Sequence, residues 1–205
     1  MNKHVLLIDM YGVILEESKG NFIPYTLSCF NKIEHERLLR QIKTEKLFTK
    51  AGIGEISSNI FLSMLGFDNP EFHMKNYIEN YLTLDKGFVP FAEKFYKDYD
   101  FVLLSNDVLE WSLYITEYYE LNKYFKHKIV SGDVKCRKPE EKIYELTLKK
   151  INRNPSDCYF IDNSVKNLGV AQAFGITPIL FNRDNEDYQG IVVNSFDELS
   201  KILLQ

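Results

Sequence analysis

The feature that most constrains the fold of this chain is a short apolar run that ends in an acid. Val5 to Ile8 are all apolar, Asp9 follows them directly, and Gly12 comes three residues later. A continuous run of this length is typical of a strand buried on both faces of a parallel sheet. An acid at the end of such a strand lies where open α/β sheets place their ligands, and Gly12 allows a sharp turn beside it. Taken alone, the run fits equally well a buried strand that ends in a capping aspartate.

The rest of the chain alternates between predicted strands and predicted helices, with one long exception. Between about residues 22 and 84 the apolar spacing follows a helical period and shows no strand pattern. Further apolar runs predict strands at 101–104, 128–130, 158–161, 177–181 and 191–193. We therefore predict an α/β fold, a Rossmann-like doubly wound parallel sheet with an all-helical cap inserted after the first strand. The predicted core domain comprises 1–15 and 87–205, and the predicted cap domain comprises 16–86.

Composition and charge argue against several classes of protein. The 205 residues carry a formal net charge of −4 with both signs spread along the chain, so a nucleic-acid partner is not expected. The apolar runs are too short for a signal peptide or a membrane span. Three widely separated cysteines, without a Cys-x-x-Cys pair, argue against a disulfide framework or a structural zinc site. We expect a cytoplasmic protein without a membrane partner.

Several polar residues stand where predicted strands end. Asp9 follows the first strand, Ser105 and Asn106 follow the second, Asp162 follows the fourth, and Lys138 lies in the loop after the third. The carboxyl ends of parallel strands meet at one edge of a sheet, so these side chains are expected to share one crevice. Each alone has an ordinary explanation, such as a helix cap or solvated chain. Together they supply what phosphoryl transfer requires: a nucleophilic carboxylate, a second carboxylate for a hard cation, and donors for the phosphoryl oxygens.

The same residues resemble the motifs of the haloacid dehalogenase (HAD) superfamily of hydrolases. The matching segments are Leu7-Ile-Asp9-Met-Tyr-Gly12-Val, Leu104-Ser105-Asn106, Arg137-Lys138-Pro139-Glu140 and Phe160-Ile-Asp162-Asn163-Ser-Val-Lys-Asn167-Leu, the last of which continues to Ala171 and Gly175-Ile. The resemblance extends over the whole core, and the helical insertion resembles the small cap of the family. The downstream half most resembles the sugar-phosphate phosphatases. The resemblance therefore implies a magnesium-dependent hydrolase of small phosphorylated metabolites.

The resemblance also implies a role for each matching residue. Asp9 is the expected nucleophile, ionised at neutral pH and forming a covalent aspartyl-phosphate intermediate. Mg²⁺ is expected to bind the Asp9 side chain, the backbone carbonyl of Tyr11 and the side chain of Asp162. The residues expected to bind the substrate at its phosphoryl group are Ser105, Asn106 and Lys138. The catalytic set predicted in this way is Asp9, Tyr11, Ser105 and Lys138.

Tyr11 departs from the pattern of HAD phosphatases, which usually carry an aspartate there as general acid and base. A general acid is typically worth on the order of 10²–10⁴-fold in rate, and a phenol with a pKa near ~10 is a poor substitute. The sequence therefore leaves three alternatives open. Turnover is slow, the leaving group needs little protonation, or a residue of the cap acts as the general acid. The Asp-x-Tyr-Gly sequence is also similar to that of the 2-haloacid dehalogenases, in which Asp9 would attack carbon without a metal.

Asp162 favours the phosphatase over the dehalogenase. A second carboxylate would repel a haloacid substrate by about 4 kcal/mol at ~4 Å and an effective dielectric constant of ~20, whereas it suits a bound cation. Arg37 and Arg40 in the cap keep the dehalogenase alternative open, because that reaction needs a basic cap residue near the halide. A solvated helix face is the preferred interpretation of both arginines. A third alternative is a catalytically weak protein that binds a phosphorylated ligand.

Overall fold

A single parallel sheet forms the framework of the protein. The computed structural model describes residues 3–204 of the chain. The strands are β1 Val5–Ile8, β2 Asp100–Ser105, β3 Phe125–Val130, β4 Cys158–Asp162, β5 Thr177–Phe181 and β6 Ile191–Val193. Their order in the sheet is β3-β2-β1-β4-β5-β6. β1 pairs in parallel with β2 on one side and with β4 on the other, so that Leu7 lies opposite both Val102 and Phe160.

Helices cover both faces of the sheet. They are α1 Phe22–Cys29, α2 His35–Leu39, α3 Leu47–Gly52, α4 Ser58–Leu65, α5 Pro70–Tyr81, α6 Phe88–Phe95, α7 Leu109–Tyr118, α8 Ser131–Val134, α9 Glu141–Ile151, α10 Val165–Ala173 and α11 Phe196–Leu203. Leu6 and Ile8 of β1 pack in the same cluster as α6, α7 and α11, whereas Val5 and Leu7 pack with α9 and α10. All four are buried, which explains the continuous apolar run. The predicted Rossmann-like, doubly wound α/β fold is confirmed.

The order of strands reverses beside β1. The chain passes from β1 to β2 and β3 on one side, and then crosses to β4, β5 and β6 on the other. In open α/β sheets the crevice at such a switch point is the place where ligands bind. Asp9 stands there and extends the ladder, because its N–H donates to the carbonyl of Ile161 over 3.0 Å.

An all-helical insertion, α1 to α5, separates β1 from α6 and β2. The two connections to this insertion run beside each other. The N–H of Glu16 donates to the carbonyl of Thr83, and the N–H of Asp85 donates to the carbonyl of Ile14, each over 2.9 Å. This pairing lies close to the predicted boundaries at residues 15 and 87, and the division into cap and core domains stays a prediction.

Two further sequence expectations concern β3 and the cysteines. β3 begins at Phe125, three residues before the predicted start at residue 128. The prediction missed these residues because β3 is an edge strand, and its first residues are partly exposed and include polar side chains. Its apolar pattern is therefore interrupted where the strand starts. The three cysteines are all free thiols, as expected from their spacing.

Candidate active site

Lys138 joins the two carboxylates that the sequence places at strand ends. Its Nζ lies 2.7 Å from Oδ1 of Asp9 and 2.7 Å from Oδ2 of Asp162. It also donates to the carbonyl of Leu104 over 2.8 Å, so all three of its N–H groups have partners. Burial lowers the pKa of Lys138, but the two carboxylates outweigh that effect and raise it, so the side chain stays an ammonium. The structure thus brings together residues from the ends of three different segments, as predicted.

Asn106 fixes the main chain at Lys138. Its Oδ1 accepts from the N–H of Lys138, and its Nδ2 donates to the carbonyl of Lys138, each over 2.8 Å. Asn106 also lines the cavity beside Asp9. A direct contact with substrate stays a prediction for this residue. The structure adds a second role, since the paired hydrogen bonds orient the loop that carries the ammonium.

Asp162 is fully buried and held by several donors. Its Oδ1 accepts from the backbone N–H of Ser164 over 2.8 Å, and Nδ2 of Asn167 lies 3.1 and 3.2 Å from its two oxygens. Asn167 stands in the first turn of α10, and the sequence analysis placed it in the fourth motif without giving it a role. Its spacing of five residues from Asp162 explains this contact, because a helix that starts just after Asp162 turns back toward the strand end.

Asp9 has one oxygen that is not engaged by the protein. Its Oδ1 contacts Lys138 and accepts from the N–H of Met10 over 2.8 Å, whereas within residues 3–204 no hydrogen bond reaches Oδ2. Burial raises the pKa of Asp9 to about 7, although Lys138 lowers it, and Asp162 raises it further. This direction departs from the ordinary aspartate pKa expected from the sequence, because the sequence did not reveal the depth of burial. A bound cation would favour the ionised form again.

Ser105 has a buried hydroxyl that lacks a hydrogen-bond partner in the described part of the chain. The residue ends β2 and is fully buried. An unpaired buried hydroxyl costs roughly 1–3 kcal/mol. A ligand oxygen that accepts a hydrogen bond from Ser105 would remove this cost. This observation fits the predicted contact with a phosphoryl oxygen, which stays a prediction.

Tyr11 lines the cavity and faces another buried acid. Its hydroxyl donates to Oδ1 of Asp107 over 3.3 Å. Asp107 also accepts from the N–H of Val108 over 2.8 Å and from the hydroxyl of Ser112 over 2.7 Å. Burial raises the pKa of Asp107 to about 7 and raises the pKa of Tyr11 well above that of a free phenol. Asp107 is a residue that the sequence interpretation did not assign, although it directly follows Asn106.

Gly12 allows the first strand to turn tightly against the fourth. Its φ is +79°, and a Cβ atom added there would lie 2.5 Å from Nδ2 of Asn163. A side chain at this position would therefore push Asn163 out of place as well as strain the backbone. The glycine keeps the loops that follow β1 and β4 in contact.

Asp9, Tyr11, Asn106, Asp107 and Lys138 line a cavity of about 640 Å³, whereas Ser105 and Asp162 are fully buried and are not among its lining residues. A cavity of this size lies within the usual range for small-molecule sites. Its polar lining includes Asp9, Asn106, Arg137, Lys138 and Asn163. Its apolar lining is contributed by the helical insertion and consists of Phe22, Ile23, Pro24, Ile42 and Phe48.

Arg37 and Arg40 lie on the surface of the helical insertion. Arg37 pairs with Glu34 over 3.1 Å and also donates to the carbonyl of Leu65. Arg40 pairs with Glu45 over 3.4 Å. In the described structure neither arginine lines the cavity that contains Asp9. Arg40 is largely exposed, in agreement with a solvated helix face, whereas Arg37 is half-buried against Glu34 and Leu65.

The residues around Asp9 suit a hard divalent cation. Asp9 and Asp162 supply carboxylate oxygens, and between residues 3 and 204 no hydrogen bond reaches the carbonyl oxygen of Tyr11. No cluster of three or more His, Cys, Asp or Glu side chains suited to a metal occurs in the described chain. A cation here would therefore need a main-chain oxygen beside the two carboxylates, which is the ligand set predicted for Mg²⁺.

The fold and the site together define a class: a doubly wound α/β core with a buried carboxylate–lysine–carboxylate cluster at the switch point of its parallel sheet. A family model described as haloacid dehalogenase-like hydrolase matches residues 3–175. The chain belongs to this family of HAD hydrolases, and it is an enzyme of that family.

Solved structures with the same fold come from several organisms. A HAD family enzyme from Bacteroides thetaiotaomicron is 22% identical with a TM-score of 0.76, covering 92% of this chain and 97% of that one. The same enzyme in complex with magnesium and inorganic phosphate gives a TM-score of 0.74 at 22% identity, with 92% and 98% covered. A HAD phosphatase from Thermococcus onnurineus is 20% identical with a TM-score of 0.71, covering 98% of this chain and 97% of that chain. A structure described as a dehalogenase is 18% identical with a TM-score of 0.67, covering 100% and 98%.

In the part of the chain described by the structure, no helix combines the length and apolar character that crossing a membrane requires.

Proposed function

We propose that this hydrolase is a Mg²⁺-dependent phosphomonoesterase that acts on small phosphorylated metabolites through a covalent intermediate on Asp9. The observation that carries the proposal is the position of Lys138, whose Nζ lies 2.7 Å from a carboxylate oxygen of both Asp9 and Asp162. The Lys138 ammonium neutralises one of the two negative charges of Asp9 and Asp162 and leaves the other to bind a cation. The free cysteines fit the reducing cytoplasm as its location.

Each residue has a distinct task in the proposed reaction. Oδ2 of Asp9, which is free of hydrogen bonds in the described chain, attacks phosphorus while the bond from phosphorus to the ester oxygen breaks. The positive charge of Lys138 and the hydroxyl of Ser105 stabilise the phosphoryl oxygens. Water then attacks phosphorus, releases inorganic phosphate and restores the Asp9 carboxylate. Mg²⁺, held by Asp9, the carbonyl of Tyr11 and Asp162, would supply charge neutralisation for the phosphoryl group.

Two observations support a phosphatase rather than a dehalogenase. Asp162 is buried beside Asp9, where it would repel the carboxylate of a haloacid. Arg37 and Arg40, the cap residues considered for halide binding, are occupied in ion pairs on the surface. A structural neighbour of this chain contains magnesium and inorganic phosphate, which is also in keeping with the proposal.

The proposal is tested by phosphate release from para-nitrophenyl phosphate and acetyl phosphate. We expect turnover with Mg²⁺, its loss on chelation and its recovery when Mg²⁺ is restored. Asp9→Asn should reduce kcat by roughly 10³-fold or more, because the nucleophile is lost. Asp98→Asn is the matched control, since Asp98 is an exposed carboxylate away from the cavity.

Two results would contradict the proposal. Chloride release from chloropropionate that survives chelation would identify a dehalogenase. Saturable binding of phosphorylated compounds without any hydrolysis would identify a binding protein.

A further inference from the structure

The cavity that contains Asp9 has an apolar wall that a phosphoryl group cannot use. Phosphoryl oxygens are bound by charges and hydrogen-bond donors, and the sheet edge supplies such a charge through Lys138. The helical insertion instead contributes Phe22, Ile23, Pro24, Ile42 and Phe48. These residues must face the part of the substrate that lies beyond the phosphoryl group.

Phe48 gives this wall a flat aromatic surface. Its side chain is 37% exposed, although large apolar residues are usually buried, and it lines the cavity. The ring of Phe22 stacks beside it, with centroids 5.6 Å apart and planes inclined by 14°. An exposed aromatic surface inside a cavity is suited to stacking with another ring.

The aromatic surface is held in place from behind. The ring of Trp111 lies 5.0 Å from Phe22 and 5.8 Å from Phe48. Trp111 is fully buried, and its Nε1–H donates to Oγ of Ser58 over 2.7 Å. The rings are therefore oriented before a ligand arrives, which lowers the entropy cost of binding.

The two proton donors Tyr11 and Lys138, which lie beside Asp9, are already engaged by the protein. The hydroxyl of Tyr11 donates its single proton to Asp107, and the three N–H groups of Lys138 point to Asp9, Asp162 and the carbonyl of Leu104. A leaving oxygen therefore receives little help from these groups. Phenols, with a pKa near ~10 as in tyrosine, leave as stable anions without such help, whereas aliphatic alcohols do not.

We propose that the preferred substrates are aryl phosphate monoesters, with the aromatic ring against Phe48 and the phosphoryl group at Asp9. This inference rests on the proposed phosphatase function. An oxygen of Asp9 forms the new bond to phosphorus, the bond from phosphorus to the aryl oxygen breaks, and the phenolate leaves with the electron pair. The phenolate then takes a proton from water, and a second water molecule releases phosphate from Asp9.

The test compares four substrates in the presence of Mg²⁺. Phenyl phosphate has both the ring and the good leaving group, benzyl phosphate has the ring with an aliphatic oxygen, a hexose phosphate has neither, and acetyl phosphate has a good leaving group without a ring. We expect kcat/KM for phenyl phosphate to exceed that for benzyl phosphate by roughly 10²-fold or more, and benzyl phosphate to inhibit competitively.

Variants of Phe48 test the binding surface itself. Phe48→Ala should lower the ratio of kcat/KM for phenyl phosphate to that for acetyl phosphate by roughly tenfold, and Phe48→Leu should lower it less. Phe72→Ala is the matched control, because Phe72 is an exposed phenylalanine of the same helical insertion that lies outside the cavity lining.

The outcomes separate this inference from the proposed function. A hexose phosphate hydrolysed as efficiently as phenyl phosphate, or an unchanged ratio in Phe48→Ala, would overturn the aryl preference while the phosphatase function stands. Failure to hydrolyse acetyl phosphate and all three esters would overturn both.

Discussion

The hydroxyl of Tyr11 donates a hydrogen bond to Oδ1 of Asp107 over 3.3 Å, within the cavity that contains Asp9. Its proton is directed at the protein and not at a leaving group. We predict that Tyr11→Phe lowers kcat/KM for phenyl phosphate by no more than about tenfold, well short of the ~10²–10⁴-fold contribution of a general acid. Steady-state kinetics with phenyl and benzyl phosphate measure the effect. A loss of ~10³-fold, larger for the benzyl ester, would show that Tyr11 is the acid.

Asp107 should make stability depend on pH. Burial raises its pKa to about 7, above the ~3.9 of an unfolded aspartate. The folded state therefore binds the proton of the Asp107 carboxyl more tightly than the unfolded state does. The stability that this proton contributes to the folded state is lost as the pH rises from about 4 to about 7. The amide introduced by Asp107→Asn cannot ionise, so the stability of this variant relative to the wild type should increase across this window, by up to a few kcal/mol.

Urea unfolding between about pH 5 and about pH 8 measures this difference. Comparing the variant with the wild type at each pH removes the contribution of Asp9, whose pKa burial also raises. Asp98→Asn should show no such trend, because Asp98 is exposed. A stability difference for Asp107→Asn that is constant with pH would contradict the prediction.

Removing the ammonium should destabilise the metal-free protein. Lys138→Met leaves Asp9 and Asp162 buried without their shared partner, and breaking a buried ion pair typically costs ~3–5 kcal/mol. The loss should be smaller at about pH 5 than at about pH 8, because the carboxylates then take up protons. Chemical unfolding with chelator present measures it, and Lys149→Met, at an exposed lysine, should change stability by less than ~0.5 kcal/mol. Equal stability of Lys138→Met and the wild type at the higher pH would be incompatible with the ion pairs.

Two glycines give opposite expectations for substitution by alanine. Gly12→Ala should cost about 1–3 kcal/mol, because φ is +79° and the new Cβ would lie 2.5 Å from Nδ2 of Asn163. Gly169→Ala in α10 should instead stabilise the protein by roughly 0.5–1 kcal/mol, since a Cβ there meets no described atom within 4 Å. Thermal unfolding of both variants provides the comparison. A neutral Gly12→Ala would show that the turn after β1 tolerates a side chain.

The sheet could be predicted from the sequence because its central strands are buried on both faces. The runs at β1, β2 and β4 are continuous and apolar, and each is followed by the polar residue that the structure places at the common edge. Edge strand β3 was harder, because exposed positions such as Lys126 interrupt its pattern.

The pairing of side chains at the site was less accessible to prediction. Motif spacing located Asp9, Asp162 and Lys138, but it carried no information on the hydrogen bonds that orient them. Asn106 faces the main chain of Lys138 across 32 positions of sequence, and such a contact follows only from the fold. The pKa of Asp9 likewise depends on burial, which is set by packing from many parts of the chain.

The central claim is that Asp9 becomes phosphorylated during turnover, and trapping the intermediate tests it most directly. The enzyme is mixed with Mg²⁺ and phenyl or acetyl phosphate, quenched in acid and analysed by intact-mass and peptide mass spectrometry. We predict an increase in mass of one phosphoryl group on the peptide that contains Asp9, absent in Asp9→Asn and retained in Asp98→Asn. Turnover without any adduct, or an adduct that persists in Asp9→Asn, would contradict the account.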